Sequence, residues 1–160
     1  MVSSLLFQRL PSVVGDSLSR ERIRFPEHVA GKPAVLLVAY RRDAQEDVDR
    51  WLEFLTSDWP EVVCYEVPTI AGVIWRALAG WIDSGMRGGV PENKWSSVVT
   101  LYGGNATRLR DFLGDHGSPS AYVVALDTNS AVVWLNAEGY SDERARELSD
   151  VLRRLTVSTG

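Results

Sequence analysis

The sequence predicts a single α/β domain with a mixed sheet flanked by helices on both faces. Three observations predict it. Short apolar runs alternate with segments of helical periodicity through the first two thirds of the chain, which implies parallel strands joined by right-handed crossovers. Near the end, two apolar runs are separated by Asp127 to Ser130, a hairpin signal that adds an antiparallel strand. The length of 160 residues, with 45% hydrophobic and 24% charged residues, suits one globular core.

The elements follow in order. Arg22 to Phe25 reads as a short strand, with Ile23 and Phe25 at period two. Gly31-Lys32-Pro33 is a turn signal, and Val35 to Tyr40 follows as a continuous apolar run, the mark of a strand buried on both faces. In Asp43 to Leu55, the residues Val48, Trp51, Leu52 and Leu55 share one helical face. Asp43 and Glu46 have the spacing of an Asp-led capping box, and with Asp47 they favour the helix N-terminus. Val62 to Val67 is a second core strand that Pro68 is expected to end. Ala71 to Asp83 carries a wide apolar stripe at helical spacing, and the glycines from Gly85 to Gly89 with Pro91 open a loop. Ser97 to Tyr102 is a third strand, and Asn105 is an expected N-cap for a helix ending near Leu113. Tyr122 to Asp127 and Val132 to Leu135 form the hairpin. Ser141 then caps a last helix with Ala145, Leu148, Leu152 and Leu155 inward.

Composition excludes several function classes. The net charge of −4 and pI near 5.2 oppose general nucleic-acid binding, which needs clustered positive charge. The longest apolar run, Ala34 to Tyr40, is far below the roughly 20 residues of a membrane span. One Cys leaves no intrachain disulfide, no CxxC motif and no Cys-rich zinc site, and it fits a reducing, cytoplasmic setting.

Several stretches resemble a known fold family. Val14 to Leu18 (VGDSL), Ala30 to Tyr40 (AGKPAVLLVAY) and Ser118 to Leu152 follow the layout of the thioredoxin-like fold in its peroxiredoxin and TlpA-type branch. The family's D-x-x-G turn is here Asp127 to Ser130, with its glycine missing, and Pro119 sits where the family places a cis-proline. A narrower resemblance is to the mitochondrial ATP synthase assembly factor family Atp-ten. It rests on Trp51, on Arg87 to Pro91 in an R-x-x-I-P-like loop, and on Trp134 to Gly139 after the hairpin. The likeness implies a thioredoxin-like domain over residues 14–156, with 1–13 as an N-terminal leader and 157–160 as a tail.

Redox members of the family place a reactive thiolate at the N-terminus of the first major helix, where the helix dipole lowers its pKa. Here that segment is Tyr40 to Gln45, without Cys, and Arg42 and Gln45 stand where CxxC residues would fall. Neighbouring Asp43, Glu46 and Asp47 would oppose a thiolate there. Cys64 lies mid-strand and reads as a small buried hydrophobe. The expected function is therefore a redox-inactive module for protein interaction or assembly, with no cofactor and no metal. The alternative is a thiol oxidoreductase using Cys64 or a partner's thiol. A hydrolase built on Asp115, His116 and Ser118 is a third class, disfavoured because triad members usually come from separate segments. His28 is the other His, which leaves few metal ligands, and Gly103-Gly104-Asn105 lacks the Lys of a phosphate loop.

The resemblance also implies a working surface. The loop Tyr40, Arg41, Arg42, Asp43 and the turn Ser118, Pro119 should converge at one end of the sheet. A cis bond at Ser118-Pro119 would expose backbone for an extended partner segment. Arg41 and Arg42 would offer charge to an acidic partner. Trp51, Trp75 and Trp81 are expected in the core, with Trp59 and Trp95 less internal.

Overall fold

The structure is a computed structural model and describes residues 5–70, 92–114 and 119–159. Its strands are β1 (Val13–Ser17), β2 (Arg22–Phe25), β3 (Ala34–Ala39), β4 (Val63–Ile70), β5 (Val99–Tyr102), β6 (Tyr122–Leu126) and β7 (Val132–Asn136). The helices among the described residues are α1 (Gln45–Asp58), α2 (Gly103–Leu113) and α3 (Asp142–Thr159), with short 3-10 helices at Glu27–Val29, Arg42–Ala44 and Glu92–Ser97. The expected helix at 71–83 and the glycine loop after it lie outside the described residues.

The strands form one mixed seven-stranded sheet in the order β2-β1-β5-β4-β3-β6-β7. β3 runs parallel to β4 and antiparallel to β6, and β4 runs parallel to β5. The expected central strand is central: every residue from Ala34 to Val38 is at most 1% exposed. Alternation along it divides the core in two. Val35 and Leu37, with Val123 and Ala125, pack beneath Val48, Trp51 and Leu55 of α1 and Ala145, Leu148 and Leu152 of α3. Leu36 and Val38, with Val124 and Leu126, face Ala106, Leu109 and Leu113 of α2.

β1 is an element that the periodicity did not reveal. It pairs with β2 and, through Asp16 and Ser17, with β5. Residues 5–13 pack on the domain. Leu10 and Val13 are buried, and Phe7 N–H donates to Val132 O at 2.7 Å. Gly15 is required where β1 crosses β5, since a Cβ there would lie 2.5 Å from Thr100 O and 2.7 Å from Leu101 Cδ2.

Three local expectations are corrected. Pro68 does not end β4; the strand continues to Ile70, and Pro68 keeps register with Ala39. Asn105 does not cap α2, which has Tyr102 at its N-cap; its Oδ1 instead accepts from Val14 N–H at 3.0 Å. Asp43 does not cap α1, because a 3-10 turn precedes the helix and Ala44 takes the cap position. Ser141 does cap α3, accepting from Arg144 N–H at 3.1 Å. At the turn that lacks its glycine, Ser130 adopts the left-handed conformation with φ of 65°. Asp127 Oδ1 holds that turn by accepting from the N–H groups of Asn129 and Ala131 at 2.8 and 3.0 Å.

Candidate functional site

The antiparallel register of β3 with β6 pairs Val38 with Tyr122. It follows that the segment leaving β3 and the segment entering β6 meet at one end of the sheet. The expected surface residues divide there between the two faces. Tyr40 turns toward the α2 face: its ring lies 4.6 Å from that of Tyr122, with the Arg110 guanidinium 5.5 Å from its centroid. Asp43 and Pro119 line a cleft on the α1 side, about 240 Å³ in volume. Arg42 opens the 3-10 helix between them. Ser118, and with it the bond to Pro119, lies outside the described residues, as do Asp115 and His116.

Asp47, in the first turn of α1, organises this cleft. Its Oδ2 accepts from Ala121 N–H at 3.0 Å and its Oδ1 from Tyr140 N–H at 2.7 Å. One carboxylate thus ties α1 to the start of β6 and to the turn before α3. Gly139 makes the close approach possible. It has φ of +90°, and a Cβ there would lie 3.1 Å from Ser120 Oγ and 3.7 Å from Asp47 Oδ1. Asp47 appeared in the sequence only as a helix-dipole residue. No local signal marks a carboxylate whose partners lie 74 and 93 positions away.

Arg50 and Tyr140 line the first cleft and continue into a second of about 320 Å³, with Glu53, Phe54, Ser57 and Asp58. The Phe54 and Tyr140 rings are 6.4 Å apart at 59°, and Tyr140 stands edge-on to buried Trp51 at 5.0 Å. The local charge is acidic. Desolvation, and then the charges of Asp142, Asp58 and Glu53, hold the Tyr140 hydroxyl above its ordinary pKa. Arg41 is engaged within the chain, its Nε and Nη2 both donating to the Asp43 carboxylate at 3.1 Å. This two-pronged pair offsets the charge expected to meet an acidic partner.

Cys64 lies far from this surface. It pairs with Val35, four register positions before Ala39 and Pro68. That places it about 13 Å along the strands, toward the opposite end of the sheet. It is half-buried at the start of β4 rather than a buried mid-strand residue as expected, and desolvation there, reinforced by Glu66, pushes its thiol up to about 12, so it stays protonated at physiological pH. Among the described residues no group of His, Cys, Asp and Glu is arranged to hold a metal ion. None of the described helices is long and apolar enough to cross a membrane.

No family model matches the chain, and no curated protein matches it. The Atp-ten resemblance therefore rests on its short motifs alone, of which Arg87 to Pro91 lies outside the described residues. Solved structures do match over nearly the whole length. A SCO1/SenC family lipoprotein from Bacillus anthracis aligns with a TM-score of 0.63 at 10% identity, over 94% of this chain and 96% of that one. A putative thiol:disulfide interchange protein DsbE from Chlorobium tepidum aligns at 0.60 and 12% identity, over 97% and 98%. A putative protein disulfide isomerase from Bacteroides thetaiotaomicron aligns at 0.59 and 15% identity, over 94% and 90%. The chain has a thioredoxin-like fold, as its sequence resemblance implied. At these identities the likeness fixes the fold and leaves the activity to the site.

Proposed function

We propose that this chain is a protein-interaction or assembly module on a thioredoxin-like scaffold, without thiol redox chemistry of its own. The observation that carries the reading is the position of its one thiol. The loop after β3 contains no Cys, while Cys64 is desolvated near the start of β4, about 13 Å away along the strands. A single protonated thiol cannot close an intramolecular disulfide or present a ready nucleophile. The working surface is the sheet end bearing Tyr40, Arg41, Arg42, Asp43, Ser118 and Pro119, and the partner is a protein. An assembly role of the Atp-ten kind is the narrower form of this reading, supported by Trp51 and the Trp134 to Gly139 motif. The lone Cys suits a reducing compartment such as the cytoplasm.

Insulin reduction and peroxide consumption test the redox half. Both should match buffer, and Cys64→Ser should alter stability without altering either rate. Peroxide turnover that disappears in Cys64→Ser would establish the oxidoreductase alternative instead. For the interaction half, Arg41→Glu with Arg42→Glu should weaken an isolated native partner at unchanged melting temperature. A partner indifferent to that change and to Pro119→Ala binds elsewhere.

A further inference from the structure

The cleft along α1 has a definite chemistry. Asp43, Asp47, Arg50, Phe54 and Asp58 recur at three- and four-residue spacing and so share one side of that segment. From Asp47 to Asp58 this edge runs about 17 Å, the reach of five extended residues. Most of its charges are already used. Asp43 holds Arg41, Glu46 holds Arg50 at 3.0 Å, and Asp47 accepts two backbone N–H groups. Glu53 and Asp58 are different: both are exposed, and neither is ion-paired among the described residues. They line the same 320 Å³ cleft as the half-buried Phe54 and Tyr140 rings. Aromatic faces with carboxylates beside them attract a cation through the ring quadrupole and through charge together. A guanidinium suits such a site better than a compact ammonium, since it stacks flat and donates in a fork.

We propose that this cleft docks an extended, arginine-bearing segment of a protein partner, with one guanidinium seated at the Phe54 and Tyr140 rings between Glu53 and Asp58. The proposal rests on the interaction-module reading and supplies the charge of the one segment that enters this cleft, which is cationic; the contact at Arg41 and Arg42 is a separate one. An acidic segment would meet unpaired carboxylates and be repelled.

The test uses fluorescein-labelled tetra-arginine, with tetra-glutamate and tetra-lysine as comparison probes, followed by fluorescence anisotropy on the full chain. Tetra-arginine should bind more tightly than tetra-lysine, and tetra-glutamate should not bind. Glu53→Gln with Asp58→Asn should weaken tetra-arginine at least fivefold. Asp111→Asn with Glu21→Gln makes the same change in net charge away from the cleft, on the second helix and in the turn between β1 and β2, and should weaken it less than twofold. Tyr140→Leu, which keeps an apolar neighbour for Trp51, should remove the preference for arginine over lysine. Equal losses in the two charge-matched pairs, or no binding of tetra-arginine, would overturn the proposal. These readouts do not involve the thiol. An active oxidoreductase with an arginine-binding cleft would refute the module reading alone, and an inert protein indifferent to tetra-arginine would refute this proposal alone.

Discussion

Replacing Asp47 by Ala should be among the most damaging single changes at a half-buried polar position. The substitution removes acceptors at 3.0 and 2.7 Å from the N–H groups of Ala121 and Tyr140, both part-buried. A hydrogen bond to a charged group contributes about 1.5–3 kcal/mol, and an unsatisfied buried donor costs about 1–3 kcal/mol. The lower end applies to each bond here because Asp47 is only half-buried, giving about 3 kcal/mol in all. For a domain of this size that lowers Tm by about 6–12 °C. Asp49→Ala is the matched control. It too removes a carboxylate from the start of α1, but an exposed one whose partner among the described residues is Gln45 Nε2, at 2.9 Å. It should stay within about 0.5 kcal/mol of the parent chain. Asp47→Asn should fall between the two, because its amide can accept one N–H but turns its NH₂ toward the other. Urea unfolding followed by tryptophan fluorescence measures all three. If Asp47→Ala lies within about 0.5 kcal/mol of Asp49→Ala, the carboxylate does not hold the cleft and the reasoning fails.

Two further outcomes follow from the core. Burial raises the Cys64 thiol from an ordinary value of 9.0 to about 12. The folded state therefore keeps a proton that the unfolded state releases, and stability should fall as pH rises above about 9. Cys64→Ala should remove that part of the alkaline slope in denaturant titrations at pH 8 and 10, and an unchanged slope would contradict the assignment. Gly15→Ala should cost about 3 kcal/mol by overpacking, since its Cβ would come within 3 Å of Thr100 O, Leu101 Cδ2 and Val99 Cγ1. A thermal melt within 2 °C of the parent would refute the close crossing of β1 and β5.

Much of the fold was legible because each signal was local. The run Ala34 to Val38 was apolar at every position, which only a strand covered on both faces tolerates. α1 and α3 showed their buried stripes at helical spacing, and Ser141 stood one residue before α3 with a side chain able to cap it. Asp127 and its turn could be read for the same reason. β1 escaped notice because Asp16 and Gly15 break its apolar pattern; the strand is held by β2 and β5 rather than by its own propensity. β4 ran past Pro68 for a related reason, since strand length follows the neighbours' register.

The sequence by itself determined the fold class, the order of most elements and the absence of Cys from the loop after β3. Those are properties of residue identity and short-range periodicity, and no packing is needed to state them. Only the tertiary structure decided the character of the candidate site. It carried Tyr40 to the α2 face and left Asp43 and Pro119 beside α1. It closed Arg41 onto Asp43 and bound Asp47 to residues far along the chain. It gathered Glu53, Phe54, Asp58 and Tyr140 around one cleft. The physical reason is that a side chain's charge and reach are spent on whichever neighbours the fold supplies. Those neighbours are fixed by sheet register and helix packing, not by sequence spacing.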